Sequence, residues 1–133
     1  MLIDEVLVAY LSNEPGMAGL VGTRIYPLVI PEKKKLPAIA YQQISAPREY
    51  THSGQEDMVS ARFQFTVQAA SFPQIRATVI ALRRALSGYR GPMGGASGIS
   101  VEGSYLENEI DGWSEATGKF TRRLDFILQY HEV

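Results

Sequence analysis

The stretch from Ser60 to Gly88 constrains the fold most, because a β-strand pattern runs straight into a marked amphipathic helix. Ala61, Phe63, Phe65, Val67 and Ala69 alternate with Arg62, Gln64, Thr66 and Gln68. A period of two sends the first set to a core face and the second toward water. Ser71 and Gln74 stand three apart, the spacing of a capping box, with Pro73 inside the first turn. Ile75, Val79, Leu82 and Leu86 then form one apolar stripe. Arg83 and Arg84 suit the negative end of that helix, and Gly88 suits its left-handed closing position. The unit buries one sheet face under one helix.

The flanking chain supplies further elements. Ile3, Val6, Leu7, Tyr10 and Leu11 predict an opening amphipathic helix over about residues 2–13, ended by Pro15 and Gly16. Met17 to Leu20 can add one more helical turn. Arg24 to Pro27 reads as a short extended edge, since a residue before proline is pushed toward β geometry. Lys33, Lys34 and Lys35, between Pro31 and Pro37, read as a solvated turn. Leu36 to Ser45 is a strand that is partly apolar on both faces, with Ile39 and Tyr41 on one and Ala38, Ala40 and Ile44 on the other. Residues 46–59 are polar and aperiodic and read as a long loop. The glycine-rich run from Gly88 to Gly98 lacks the Gly-Lys-Ser/Thr ending and the strand-loop-helix setting of a phosphate cradle, so it is a connector. Ile99 to Ile110 and Phe120 to Tyr130 pair as a hairpin, with Trp113 at its tip. The expected architecture is one α+β domain over 1–133. It is a two-layer sandwich, an antiparallel sheet of about four main strands with two amphipathic helices on one face.

Charge and cysteine usage narrow the function classes. With 13 basic and 14 acidic residues the net charge is −1, so no global field draws in nucleic acid or an anionic membrane. The absence of cysteine excludes disulfides and thiolate chemistry. The N-terminus lacks a signal-peptide pattern and no apolar run reaches membrane-spanning length, so a soluble intracellular protein is expected.

No catalytic or cofactor constellation emerges. The two histidines, His52 and His131, are far apart and have no second ligand at metal spacing. His52, Ser53 and Asp57 hold the letters of a nucleophilic triad, but neighbours on one loop do not supply the buried, oriented base that a serine needs. Glu107, Glu109 and Asp111 alternate along one strand, and pairing with Arg122 or Arg123 across the hairpin accounts for them better than a cation does. Phe63 and Phe65 have the spacing of an aromatic RNA-binding platform, yet they share a face with Ala61 and Val67 and so belong to a core. Trp113 serves equally well as a lid on the core or as an interface anchor.

Several stretches taken in order, namely Leu7 to Leu11, Gly22 to Pro27, Leu36 to Gln42, Arg48 to His52 and Phe126 to Tyr130, resemble the tail completion proteins of long-tailed bacteriophages, the family of the tail-to-head joining protein. The resemblance implies a structural role without enzymatic residues, cofactors or metals. It implies a homo-oligomer, commonly a hexameric ring, that meets the tail tube protein and the head completion or connector protein. Such a subunit would be found in the host cytoplasm during assembly and then in the tail or neck of the virion. Ring closure needs complementary edges. The candidate interface residues are Ile39 and Tyr41 on the two-faced strand, Arg48, Glu49, Tyr50, Thr51 and His52 in the long loop, and Trp113 at the hairpin tip. The other classes open to the chain are a small hydrolase-like enzyme using the His52 loop and a nucleic-acid-binding sheet module.

Overall fold

A computed structural model describes residues 2–51, 54–94, 98–115 and 117–132. The strand and helix read from residues 60–88 are both present, as β4 (Gly54–Ala69) and α3 (Phe72–Leu86). Ser71 Oγ accepts from the Gln74 amide at 3.3 Å, and Gln74 Oε1 accepts from the Ala70 amide at 2.8 Å. The start of α3 is therefore capped from both sides. Gly88, with φ +76°, leads the chain away after the helix, and its amide donates to the Ser104 carbonyl at 2.8 Å.

The remaining elements are α1 (Ile3–Asn13), α2 (Pro15–Ala18), β1 (Ile25–Pro27), β2 (Ala38–Ser45), β3 (Arg48–Thr51), β5 (Gly91–Met93), β6 (Ile99–Ser114) and β7 (Lys119–His131). They correct the expected architecture. The sheet has seven strands, not about four, in the order β1-β2-β4-β7-β6-β5 with β3 also on β4. It is mixed, because β1 runs parallel to β2. It curls into a half-barrel and is not the sheet of a four-stranded antiparallel sandwich. Two physical causes account for the difference. Short pieces such as β3 and β5 are recruited to edges by backbone hydrogen bonds, which leave no side-chain pattern to read, whereas β1 falls within the edge expected at Arg24 to Pro27. Register shifts between Gln43 and Ser45, Val101 and Gly103, and Leu106 and Asn108 each add local twist.

The segment read as a loop over 46–59 is largely paired backbone. β3 runs antiparallel to β4, with Arg48 opposite Val59 and Thr51 opposite Gly54. β2 and β3 thus follow each other along one edge of β4, separated at Ala46 and Pro47. β7 begins to pair with β4 only at Met58, so residues 54–57 of β4 extend beyond the end of β7.

One apolar cluster joins the helices to one sheet face. Phe63, Phe65 and Phe126 are fully buried, with the Phe65 and Phe126 rings edge to face at 5.9 Å. Each such ring contributes about 1.5–3 kcal/mol of burial. Ile3, Val6, Leu7 and Leu11 of α1 and Ile75, Val79, Leu82 and Leu86 of α3 complete the cluster. The Tyr10 hydroxyl ties α1 to α3 by donating to the Ala85 carbonyl at 2.7 Å.

Candidate functional site

The long β6–β7 hairpin carries the most distinctive surface. Register places Trp113 opposite Phe120 and Phe120 opposite Ala69, so the tryptophan sits where the hairpin leaves the body of the sheet. Trp113 is 57% exposed. Behind it, Phe120 meets Phe72 edge to face at 6.1 Å, and the Arg76 guanidinium lies 4.8 Å over the Phe72 ring. Phe72, Ile75, Trp113 and Phe120 line a concavity of about 350 Å³, with Asp111 on its rim. A second hollow of about 310 Å³ opens on the far side of the same arm, against Ile110 and Arg123.

The acidic row beside it is organised by cross-strand pairing. Asp111 lies opposite Arg122, whose Nε and Nη2 reach the two carboxylate oxygens, the second at 3.2 Å. That fork raises the Arg122 pKa further above its usual value. Glu109 approaches Arg83 of α3 at 3.8 Å. Glu107 and Glu109 are exposed. Beyond Val101, where pairing with β5 ends, the outer edge of β6 has no strand partner among the described residues.

The helix-free face of the sheet carries a polar cluster beside the exposed Tyr105 and Ile110. Arg62 donates to Asp125 from Nε at 3.2 Å and from Nη2 at 2.8 Å, and Gln64 Nε2 donates to Asp125 Oδ1 at 3.1 Å. This cluster was not legible beforehand. The signal for it was the single acidic residue, Asp125, in the otherwise apolar alternation of β7.

The candidate interface residues do not form one patch. Ile39 is buried in the core and has no surface to offer, while Tyr41 beside it is half-buried, which raises its phenol pKa. Arg48 pairs with Glu132 at 2.8 Å. Glu49, Tyr50 and Thr51 lie in β3 next to the hairpin tip, and His52 falls outside the described residues, as does Ser53 of the triad letters. Trp113 stands at the other end of the sheet. Reasoning from sequence missed Leu28 and Val29, which are 70% and 63% exposed just after β1.

Other chemistry is sparse. Among the described residues no group of three or more histidine, aspartate or glutamate side chains is placed to hold a metal. His131 Nε2 lies 3.0 Å from Glu102. Phe63 and Phe65 are buried, so neither ring is open to a nucleic-acid base. Lys33, Lys34 and Lys35 are exposed in the turn before β2. Burial, helped by Glu14 and Tyr89, pushes the Tyr10 pKa up to about 12. No helix among the described residues is long and apolar enough to cross a membrane.

Comparison with known proteins gives two matches. Residues 5–112 match the family described as tail completion protein gp17. Among solved structures, the fold is similar to that of a chain in the virion of a native gene transfer agent (GTA) particle. The identity is 17% and the TM-score 0.73, over 97% of this chain and 94% of that chain. No curated protein matches the sequence.

Proposed function

Because the chain belongs to the family of tail completion protein gp17, structural proteins of phage tail assembly, we propose that it acts as a tail completion or terminator subunit. It oligomerises, as a hexameric ring when assembled, at the head-proximal end of the tail tube and joins tail to head. The family match over residues 5–112 carries this reading. Its partners are further copies of itself, the tail tube protein and the head completion or connector protein. The subunit gathers in the host cytoplasm and ends in the tail or neck of the virion. Near-neutral net charge supports the reading, because a passage for DNA should not grip phosphates. The β6–β7 hairpin extends at one end of the sheet and β3 pairs with β4 at the other, which suits a subunit with unlike neighbours above and below.

Electron microscopy of the purified protein mixed with tail tubes tests the proposal. Density capping one end of each tube is the expected result, and tubes that stay bare and keep growing would overturn it.

A further inference from the structure

A sheet can accept a further strand only along an edge, and this sheet treats its edges unequally. β1 is three residues long and ends at Pro27, β3 is four, and β5 is three around Pro92. Short strands and prolines blunt an edge, because few amides are left to pair and proline has none. β6 is 16 residues long, and β5 covers only Ile99 to Val101 of it. From Gly103 to Ser114 its outer side has no strand partner among the described residues, so alternate residues turn their amides and carbonyls toward solvent. The run from Asn108 to Ser114 pairs with β7 without a register shift, which keeps the spacing of those groups regular.

The side chains along this run sort by face. Ile110 stands opposite Arg123 on the helix-free face, and it is exposed. Glu109, Asp111 and Trp113 stand opposite Leu124, Arg122 and Phe120 on the helix side. An added strand continues both rows, so its residues alternate between a place beside Ile110 and a place beside Glu109, Asp111 and Trp113. Apolar residues suit the first row. Cations suit the second, where they meet two carboxylates and an exposed indole. The pairing within the subunit leaves those carboxylates open to a further cation: Arg83 lies 3.8 Å from Glu109, beyond hydrogen-bond reach, and the Asp111 side chain is mostly exposed beside Arg122. Glu107, in the bulge, has no cationic partner among the described residues. Every charged residue of β6 is acidic, so laying β6 of one copy against β6 of another opposes like charges. Charge therefore selects a basic strand over a second β6.

We infer that the outer edge of β6 between Asn108 and Ser114 binds, as an added strand, an extended segment of a partner protein in which basic and apolar residues alternate. Main-chain hydrogen bonds supply the affinity, and the two rows of side chains supply the choice of sequence. The occupant is extended because only a strand matches amide and carbonyl groups at this spacing. It is basic on one face because that side of β6 is acidic and apolar on the other because Ile110 stands uncovered there. This binding edge does not depend on whether copies of the chain close a ring.

The probe is a capped peptide alternating lysine and valine, as long as the run from Asn108 to Ser114. One control alternates glutamate and valine, and another carries the same lysines and valines in two separate blocks. Amide hydrogen exchange and amide chemical shifts, followed residue by residue by NMR, report where each peptide binds. Slowed exchange at alternate residues between Asn108 and Ser114 is the expected result with the lysine peptide, with far less from the block peptide and none from the glutamate peptide. Glu107→Lys together with Glu109→Lys, both at exposed positions, should keep the fold, verified by circular dichroism, lower the affinity for the lysine peptide by about tenfold or more and let the glutamate peptide bind. No slowed exchange along β6 at millimolar peptide, equal protection by all three peptides, or unchanged affinity in the double variant would overturn the inference. Slowing that appears with protein concentration alone would assign the edge to another copy of the chain and defeat it too. A chain that caps tail tubes yet leaves the lysine peptide unbound would overturn the binding edge and leave the assembly reading standing.

Discussion

Asp125 stands opposite Gln64 and diagonal to Arg62 in the β4–β7 ladder, and it accepts hydrogen bonds from both. Only 8% of it is exposed. Asp125→Ala leaves two donors without their acceptor on a partly covered face, and should destabilise by about 1–3 kcal/mol. Asp125→Asn should fall between, since it keeps an acceptor for one of them. Urea midpoints for the two variants check this. An alanine variant as stable as the parent would mean that water replaces the carboxylate at no cost.

The pair of Asp111 and Arg122 should behave differently. The Asp111 side chain is 64% exposed, and a surface ion pair contributes about 0–1 kcal/mol. Asp111→Ala should leave the melting temperature nearly unchanged, and added salt should shrink what difference remains. Thermal melts at two salt concentrations check this. A large loss of stability would mean the hairpin depends on this fork to form.

Phe65 is the central ring of the core, between Phe63 and Phe126. Phe65→Ala should cost about 3–5 kcal/mol, a large share of the 5–15 kcal/mol that holds a typical domain together. Thermal unfolding should show a much lower transition or none. A small shift would contradict the packing described.

Two glycines give contrasting outcomes. A Cβ at Gly98 would fall 1.8 Å from the Met93 carbonyl oxygen, with backbone atoms of Gly94 also too close. At Gly103 the near atoms belong to the half-exposed Tyr105 ring, which can swing aside. Gly98→Ala should therefore be poorly folded and Gly103→Ala only mildly weakened, as read by hydrogen exchange across β5 and β6. Equal effects would contradict this account of the two sites.

Alkaline pH should unfold the chain through its tyrosines. The Tyr10 pKa is raised to about 12 against about 10 when unfolded, so the folded state holds its proton more tightly. Stability from this group is complete below pH 10 and is lost as pH climbs toward 12. Burial raises Tyr130 in the same direction. Tyr10→Phe should start from lower stability, having lost the bond to Ala85, and decline less steeply over that range. Denaturant midpoints from pH 9 to 12 give the slopes, and parallel slopes would remove Tyr10 from the explanation.

Much of this architecture was readable along the chain because its causes are local. The alternation from Ala61 to Ala69, the cap at Ser71, the stripe from Ile75 to Leu86 and the opening helix each depend on neighbours a few residues away. Pairing of the acidic row with Arg122 was also readable, since a hairpin brings residues together at predictable offsets. The interface candidates fared unevenly. Ile39 was assigned to a surface because its strand is apolar on both faces, yet β1 and the core enclose it.

By itself, then, the sequence determined the strand and helix of residues 60–88, the opening helix and the long closing hairpin, with the side chains of each that avoid water, because those follow from backbone propensity and periodicity. Only the tertiary structure decided the seven-stranded mixed order, the curl, and the convergence of Arg62 and Gln64 on Asp125. Those are set by backbone hydrogen bonds and register between segments far apart in the chain, and such bonds are made by every residue type alike.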